Sequence, residues 1–377
     1  MCQASDVLRR AGAPAAPATL VGPTRGPVRS DAVERLILLG TAGASSPKAT
    51  RAGYSNAIVV GDVAYIVDCG EGVHRQAWRS GISMHPQRRP KGGSTVRSIF
   101  FTHLHSDHVI DLANLLLGFW PTTRVDVFGP GEAGLPITPY PPDRVVPVLY
   151  PAAPTPGIRG LTEKLFEAFA YNINVRIADE GRSDLTANVF VHELGVAHDD
   201  YRPDIDLGVE ASGASMATAA PPMEPVEIYP LDENGVRVTA ILVQHAPVFP
   251  AFAYRFDTPS GSAVFSGDTG PCDNLVRLAH GADYLVHEVI DVGFIANLVT
   301  KLPNRDNIIK HLTESHTSPE DAGTIARQAG VGTLVLSHLV PGDSEIAEAE
   351  WEARARADFD GTVICGVDLD QFSLCSP

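Results

Sequence analysis

The sequence has no run of about 18 consecutive apolar residues, which excludes a membrane-spanning helix. Cysteine is scarce: Cys2, Cys69, Cys272, Cys365 and Cys375 are scattered, odd in number and form no CxxC pair. That argues against a disulfide framework and fits reduced thiols in a cytosolic protein. The opening stretch, MCQASDVLRRAGAPAAPATL, lacks the compact apolar segment of a secretory signal, so the expected location is cytoplasmic. Positive charge is in deficit, with 29 Lys and Arg against 45 Asp and Glu and a net charge of −16. A field of that sign works against non-specific binding of phosphate backbones. No GxSxG marks a serine nucleophile, and Gly40-Thr-Ala-Gly43 is not the GxGxxG of a dinucleotide site.

What is present reads as an ordered α/β chain. Residues 1–32 are rich in Ala, Pro and Arg and read as a flexible N-terminal extension, leaving 33–377 as one large domain. An apolar run at 34–40 reads as a strand. Residues 56–60 and 63–68 flank Gly61-Asp62, a hairpin signal, and Asn234-Gly235 marks a second hairpin between 225–230 and 236–243. A third hairpin is expected over 252–266. Strands are expected at 96–101, 283–287, 333–337 and 362–368, and helices at 73–80, 109–119, 161–170, 273–280, 318–329 and 345–359. The two halves share this alternation, which suggests two sheets packed face to face with helices outside. The proline-rich stretch 129–226 reads as an insertion or lid, too long for a bare loop. Its Phe166, Phe169 and Tyr171 are candidates for the wall of a substrate pocket or for the insertion's own core. His192, His198 and Asp199-Asp200 read as surface groups.

The informative segment is Thr102-His103-Leu104-His105-Ser106-Asp107-His108. Only 13 histidines occur in 377 residues, so three within six positions, directly after a buried strand, is a strong concentration. Alternation sends His103 and His105 to one side, while Asp107 and His108 turn to a neighbouring position. Such a set suits two adjacent metals, one nitrogen-rich and one with mixed ligands.

HxHxDH resembles the signature of the metallo-β-lactamase superfamily, whose fold is an αββα sandwich of two mixed β-sheets with outer helices. Four further segments resemble its other motifs, in order. They are Ile66-Val-Asp68-Cys-Gly-Glu-Gly72, Gln244-His245-Ala-Pro247, Ser266-Gly-Asp268-Thr-Gly270 and Leu336-Ser-His338-Leu-Val-Pro341. The resemblance implies two divalent ions, with zinc first and manganese or iron compatible. His103, His105 and His245 would hold one, Asp107, His108 and His338 the other, with Asp268 bridging and Asp68 supporting from behind. It also implies hydrolysis of an ester by a water activated between the ions, with Asp107 at the reaction centre, and a homodimeric assembly.

Within the superfamily, Leu38-Leu-Gly-Thr-Ala-Gly43, His287-Glu288-Val-Ile and Ser315-His316-Thr-Ser look like ribonuclease Z. By that resemblance His316 donates a proton to the leaving group, oriented by Glu288 and His287. The chain also departs from the pattern. The interval from His245 to Asp268 has room for one hairpin and not for a tRNA-gripping arm. Together with the acidic balance, this favours a small-molecule ester as partner (an aryl sulfate, phosphodiester, lactone or carboxyl ester) and makes nucleic acid an unfavoured one, as in the bacterial arylsulfatase-like branch. The alternatives are a tRNA 3′-endoribonuclease and a non-catalytic scaffold of the same fold. A decayed scaffold should have lost ligands, and all seven are present.

Overall fold

The computed structural model describes residues 34–374 apart from 89–91, 135–138, 140–143, 210–219 and 344. The expected extension at 1–32 lies outside the described residues. The first described strand is Glu34–Gly40, whose alternation explains the layers. Leu36 and Leu38 face a core shared with a second sheet, while Ile37 and Leu39 face the opposite way, among Val73, Ala77, Leu112 and Leu115 of outer helices. A strand buried on both faces reads as a continuous apolar run, and this one does.

Among the described residues the first sheet has nine strands. Gln371–Ser373, Glu34–Gly40, Ser55–Val60 and Val63–Val67 run antiparallel in that order. Ser94–Phe100, Val125–Pro130, Val189–Gly195 and Ile205–Asp206 then continue it in parallel, with Ile82–Ser83 pairing beside Ser94–Phe100. The second sheet repeats the scheme. Val226–Tyr229, Arg237–Leu242, Phe252–Asp257 and Ser262–Phe265 are antiparallel. Tyr284–Ile290, Thr333–Val340 and Thr362–Cys365 follow in parallel. Between the sheets, the Phe100 ring lies 4.9–6.0 Å from the rings of Phe128, Tyr229, Tyr254 and Phe256. Truncating such a ring in a packed core costs about 3–5 kcal/mol.

Helices Val73–Arg79, Leu112–Phe119 and Ile158–Ala168 cover the first sheet; Asp273–Ala279, Pro319–Ala329 and Glu348–Ala355 cover the second. The helix Pro319–Ala329 carries its own signals: Ser318 accepts from the Asp321 N–H, Pro319 opens it, and Gly330 ends it at φ 66°. The expected αββα sandwich of two mixed sheets is the architecture observed.

Several elements differ from the sequence reading. The expected helix at 109–119 is a single turn, Ser106–Val109, followed by Leu112–Phe119. The segment at 161–170 becomes two helices, Ile158–Ala168 and Ala170–Glu180. The stretch 129–226 supplies Val189–Gly195 and Ile205–Asp206 to the first sheet, so part of it is framework. Two helices that the periodicity did not mark, Val292–Leu298 and Arg305–Ser315, fill the interval between Ile290 and His316.

Candidate metal centre

The site lies where loops from both sheets converge. The Thr102–His108 loop leaves the strand Ser94–Phe100, and Asp68 ends the neighbouring parallel strand. Asp68 sits at φ 60°, an unfavourable region for a side chain that its contacts hold in place. Its fully buried carboxylate accepts from the Thr102 N–H at 2.8 Å, the Thr102 hydroxyl at 2.8 Å and His108 Nδ1 at 2.9 Å. A carboxylate acceptor fixes the His108 proton on Nδ1, which leaves Nε2 as a lone pair aimed into the site. His245 is set the same way, with Nδ1 donating to the Ser315 carbonyl at 2.9 Å.

His338 is aimed by a different device. Glu288 pairs with Ser337 but Val289 pairs with Leu339, so His338 is an extra residue bulged from its strand, at φ 48°. Bulges redirect a side chain out of the regular alternation. Gly43 makes the space: a Cβ there would lie 2.5 Å from His338 Nδ1. The glycine of the opening Leu38–Gly43 motif is thus a steric requirement of the last histidine motif.

The ligating atoms of His103, His105, His245 and Asp268 lie within 4.8 Å of one another, and so do those of Asp107, His108, His338 and Asp268. Asp268 stands between the two groups. Its Oδ1 is 3.2 Å from both His108 Nε2 and His338 Nε2, and its Oδ2 is 3.7 Å from His103 Nε2 and 3.9 Å from His245 Nε2. Burial resists the Asp268 charge, but His338, His108 and His103 outweigh that effect and hold its carboxyl well below the usual range. His103 Nε2 and Asp268 Oδ1 are buried without a hydrogen-bond partner among the described residues. Lone pairs and carboxylate oxygens converging in a dry site form a donor set suited to a pair of divalent cations.

Glu288 Oε1 accepts from the Thr269 N–H and from His316 Nδ1, both at 2.9 Å. Burial pushes His316 down, but the carboxylates of Glu288, Asp268 and Asp107 outweigh it and raise the imidazole to about 9. Asp268, Glu288 and His316 form a third cluster within 4.8 Å. His287 is not brought to the centre. It alternates away from Glu288, donates from Nδ1 to the Glu288 carbonyl at 2.7 Å, and is lowered to about 4 by burial. His192 bonds Asp126 at 2.7 Å and His198 stacks on Tyr201, both away from the donor groups.

Sequence reading missed His311. It rides on Arg305–Ser315 and stands 5.3 Å from His316, 5.8 Å from His245 and 6.3 Å from His105, measured between ring centroids. Five residues before His316, it carried no motif of its own; the only available signal was a second histidine close to His316. Beside Asp107 opens a cavity of about 310 Å³, lined in part by Ser45, Lys48, Arg51 and Ser106.

Comparison with known proteins agrees with this geometry. Residues 50–149 match the metallo-beta-lactamase superfamily and residues 181–339 the beta-lactamase superfamily domain. The ribonuclease Z of Mycobacterium bovis is 32% identical over 339 residues, covering 90% of this chain and 98% of that protein. That of Mycobacterium avium is 32% identical over 340 residues, with coverage of 90% and 98%. The crystal structure of human short-form tRNase Z superposes with a TM-score of 0.55 at 18% identity, covering 90% of this chain and 99% of that one, and supports the fold. Fold and donor set together define a metal-dependent hydrolase of the metallo-β-lactamase superfamily, acting on ester bonds. Within that superfamily the chain belongs to the ribonuclease Z family.

This membership corrects the expected partner. The sequence reading favoured a small-molecule ester and disfavoured nucleic acid, whereas the relatives matched along nearly their whole length are ribonucleases. The physical error was to read a sum as a local field. A net charge of −16 is a whole-chain sum and says little about the potential at any one site on the surface. Among the described residues no helix is long and apolar enough to cross a membrane.

Proposed function

We propose that the chain is a phosphodiesterase of the ribonuclease Z kind that cleaves precursor tRNA on its 3′ side. The observation that carries this reading is the 32% identity to ribonuclease Z over 98% of that protein's length. The assembled donor set supports it.

In this reading His103, His105, His245 and Asp268 hold one ion, and Asp107, His108, His338 and Asp268 the other. The nitrogen-rich donors favour zinc. When bound, the two ions supply Lewis-acid activation of a water and of the scissile phosphate. Asp68 keeps the His108 lone pair turned inward. Glu288 holds His316 protonated through Nδ1, which leaves Nε2 free to pass a proton to the departing ribose oxygen. In the cavity beside Asp107, Lys48 and the Ser45 and Ser106 hydroxyls offer donors to a phosphate oxygen, with Glu71 on the same wall, while the Arg51 guanidinium is held by Thr41, Gly366 and Glu348.

The test is cleavage of a precursor tRNA carrying a 3′ trailer by zinc-loaded protein, beside a panel of aryl sulfates and carboxyl esters at the same metal loading. Endonucleolytic release of the trailer is the expected result. Intact precursor alongside rapid turnover of the panel would refute the assignment.

A further inference from the structure

The chain's acidic surplus is not evenly spread. From Gly72 to Ser106 the sequence contains six Lys and Arg residues, Arg75, Arg79, Arg88, Arg89, Lys91 and Arg97, and no Asp or Glu. Part of this stretch lines a second cavity of about 420 Å³, which shares no lining residue with the one beside Asp107. Its walls include His74, Arg75, Trp78, Arg88 and Phe119.

Three features of this cavity point to one chemistry. Arg75 and Arg88 are exposed, and among the described residues neither guanidinium forms an ion pair or hydrogen bond. Elsewhere the carboxylate surplus captures its arginines: Arg124 pairs with Asp126, Arg159 with Asp204, Arg277 with Glu224 and Arg354 with Glu320. Second, Trp78 is 48% exposed, a large aromatic surface left to solvent. Its neighbour Phe119 lies 6.4 Å away at a 35° tilt. Third, Arg75 and Trp78 are three positions apart on Val73–Arg79, so they share one helix face. A flat aromatic beside unpaired guanidinium groups matches an unpaired nucleobase with its flanking phosphates. An acidic peptide would use the cations and leave the indole without a partner.

We propose that this cavity is a second RNA-contact site, in which one unpaired base stacks on Trp78 while Arg75 and Arg88 hold the adjoining phosphates. The site extends the ribonuclease reading by giving the substrate a foothold apart from the metal centre. It supplies locally the attraction that the whole-chain charge withholds.

The test uses the full, metal-loaded chain and a five-residue oligouridylate. Of the three tryptophans, Trp120 and Trp351 are each 2% exposed, so emission quenching on binding reports Trp78. Anisotropy of the labelled oligonucleotide then measures affinity for the variants, with circular dichroism and metal content as fold checks. Trp78→Ala and the pair Arg75→Ala with Arg88→Ala should each weaken binding about tenfold or more, while Trp78→Phe retains most of it. The arginine pair should also lower the salt slope by roughly 1–2. On precursor tRNA these variants should raise KM and leave kcat and the hydrolysis of bis(p-nitrophenyl) phosphate unchanged. Unquenched emission, or wild-type affinity in the variants, overturns the site. So does equal quenching by hexaglutamate, which would make it a general anion-docking face. If precursor tRNA is cleaved with a KM indifferent to the variants, this site falls and the ribonuclease reading stands. If the oligonucleotide binds through Trp78 and Arg75 but no RNA is cut, the ribonuclease reading falls and the contact site stands.

Discussion

Replacing Asp68 by Asn tests how the centre is held in place. The change keeps shape, and Asn tolerates the positive φ at this position better than most residues. It exchanges a carboxylate that accepts three hydrogen bonds for an amide with one acceptor oxygen and a donor NH2. If the oxygen serves Thr102, the NH2 opposes the His108 Nδ1–H, and two donors face each other. His108 must then lose its anchor or move its proton to Nε2, which turns a ligand lone pair into a donor. A hydrogen bond to a charged group is worth about 1.5–3 kcal/mol, and outer-shell losses typically lower metal affinity by roughly 10–100-fold. The loss should fall on the Asp107, His108, His338 group and largely spare the group of His103, His105 and His245. Zinc competition with a chromophoric chelator, read with elemental analysis, should show one ion retained where the wild type retains two. A variant that holds both ions at wild-type affinity, with His108 confirmed folded by NMR, would refute the reasoning.

Other changes probe separate links. Asp268→Ala removes the carboxylate common to both groups, so metal content should fall at both positions and turnover should vanish; two retained ions would sink the bridging role. Gly43→Ala drives a methyl into the His338 ring, 2.5 Å away, and should weaken the His338-bearing group while circular dichroism stays native. His316→Ala should keep both ions but slow hydrolysis by roughly 10²–10⁴-fold for poor leaving groups and far less for nitrophenolate; equal losses on the two would exclude proton donation. His287, lowered to about 4 from 6.5, binds its proton more readily when unfolded, so its contribution to stability is present above pH 6.5 and is lost as pH falls toward 4. Urea unfolding at pH 7.5 and 5.0 should therefore show His287→Leu losing about 2 kcal/mol less than wild type over that interval.

Much of the centre was legible because its chemistry is concentrated. Three histidines and an aspartate fall within six residues, and each remaining ligand lies in or just beyond a recognisable apolar strand. The pattern could not give the aiming of His338. That depends on a one-residue slip between two parallel strands, and a slip has no local signature. His311 was invisible for a related reason: its helix is weakly amphipathic, and the ring meets His245 only through packing of distant segments. The same holds for Val189–Gly195, whose place in the first sheet is set by Val125–Pro130, more than fifty residues earlier. His287 was misplaced because a motif names neighbours together, while strand alternation sends them to opposite faces.

The pairing of Gln371–Ser373 with Glu34–Gly40 has a consequence for how the protein comes into being. Close by, Asp368 accepts from the Thr41 N–H and hydroxyl, the Ala52 N–H and the Gln76 amide, and so ties down the segment that carries Lys48 and the helix behind Asp68. These contacts span roughly 290 to 340 residues of chain. During synthesis the edge of the first sheet therefore stays open until Gln371–Ser373 has left the ribosome, and contacts of such separation close slowly. A nascent chain not yet extended through residues 368–373 has every metal ligand but lacks the strand and carboxylate that brace them. Emergence of residues 368–373 thus becomes a checkpoint on assembly of the centre.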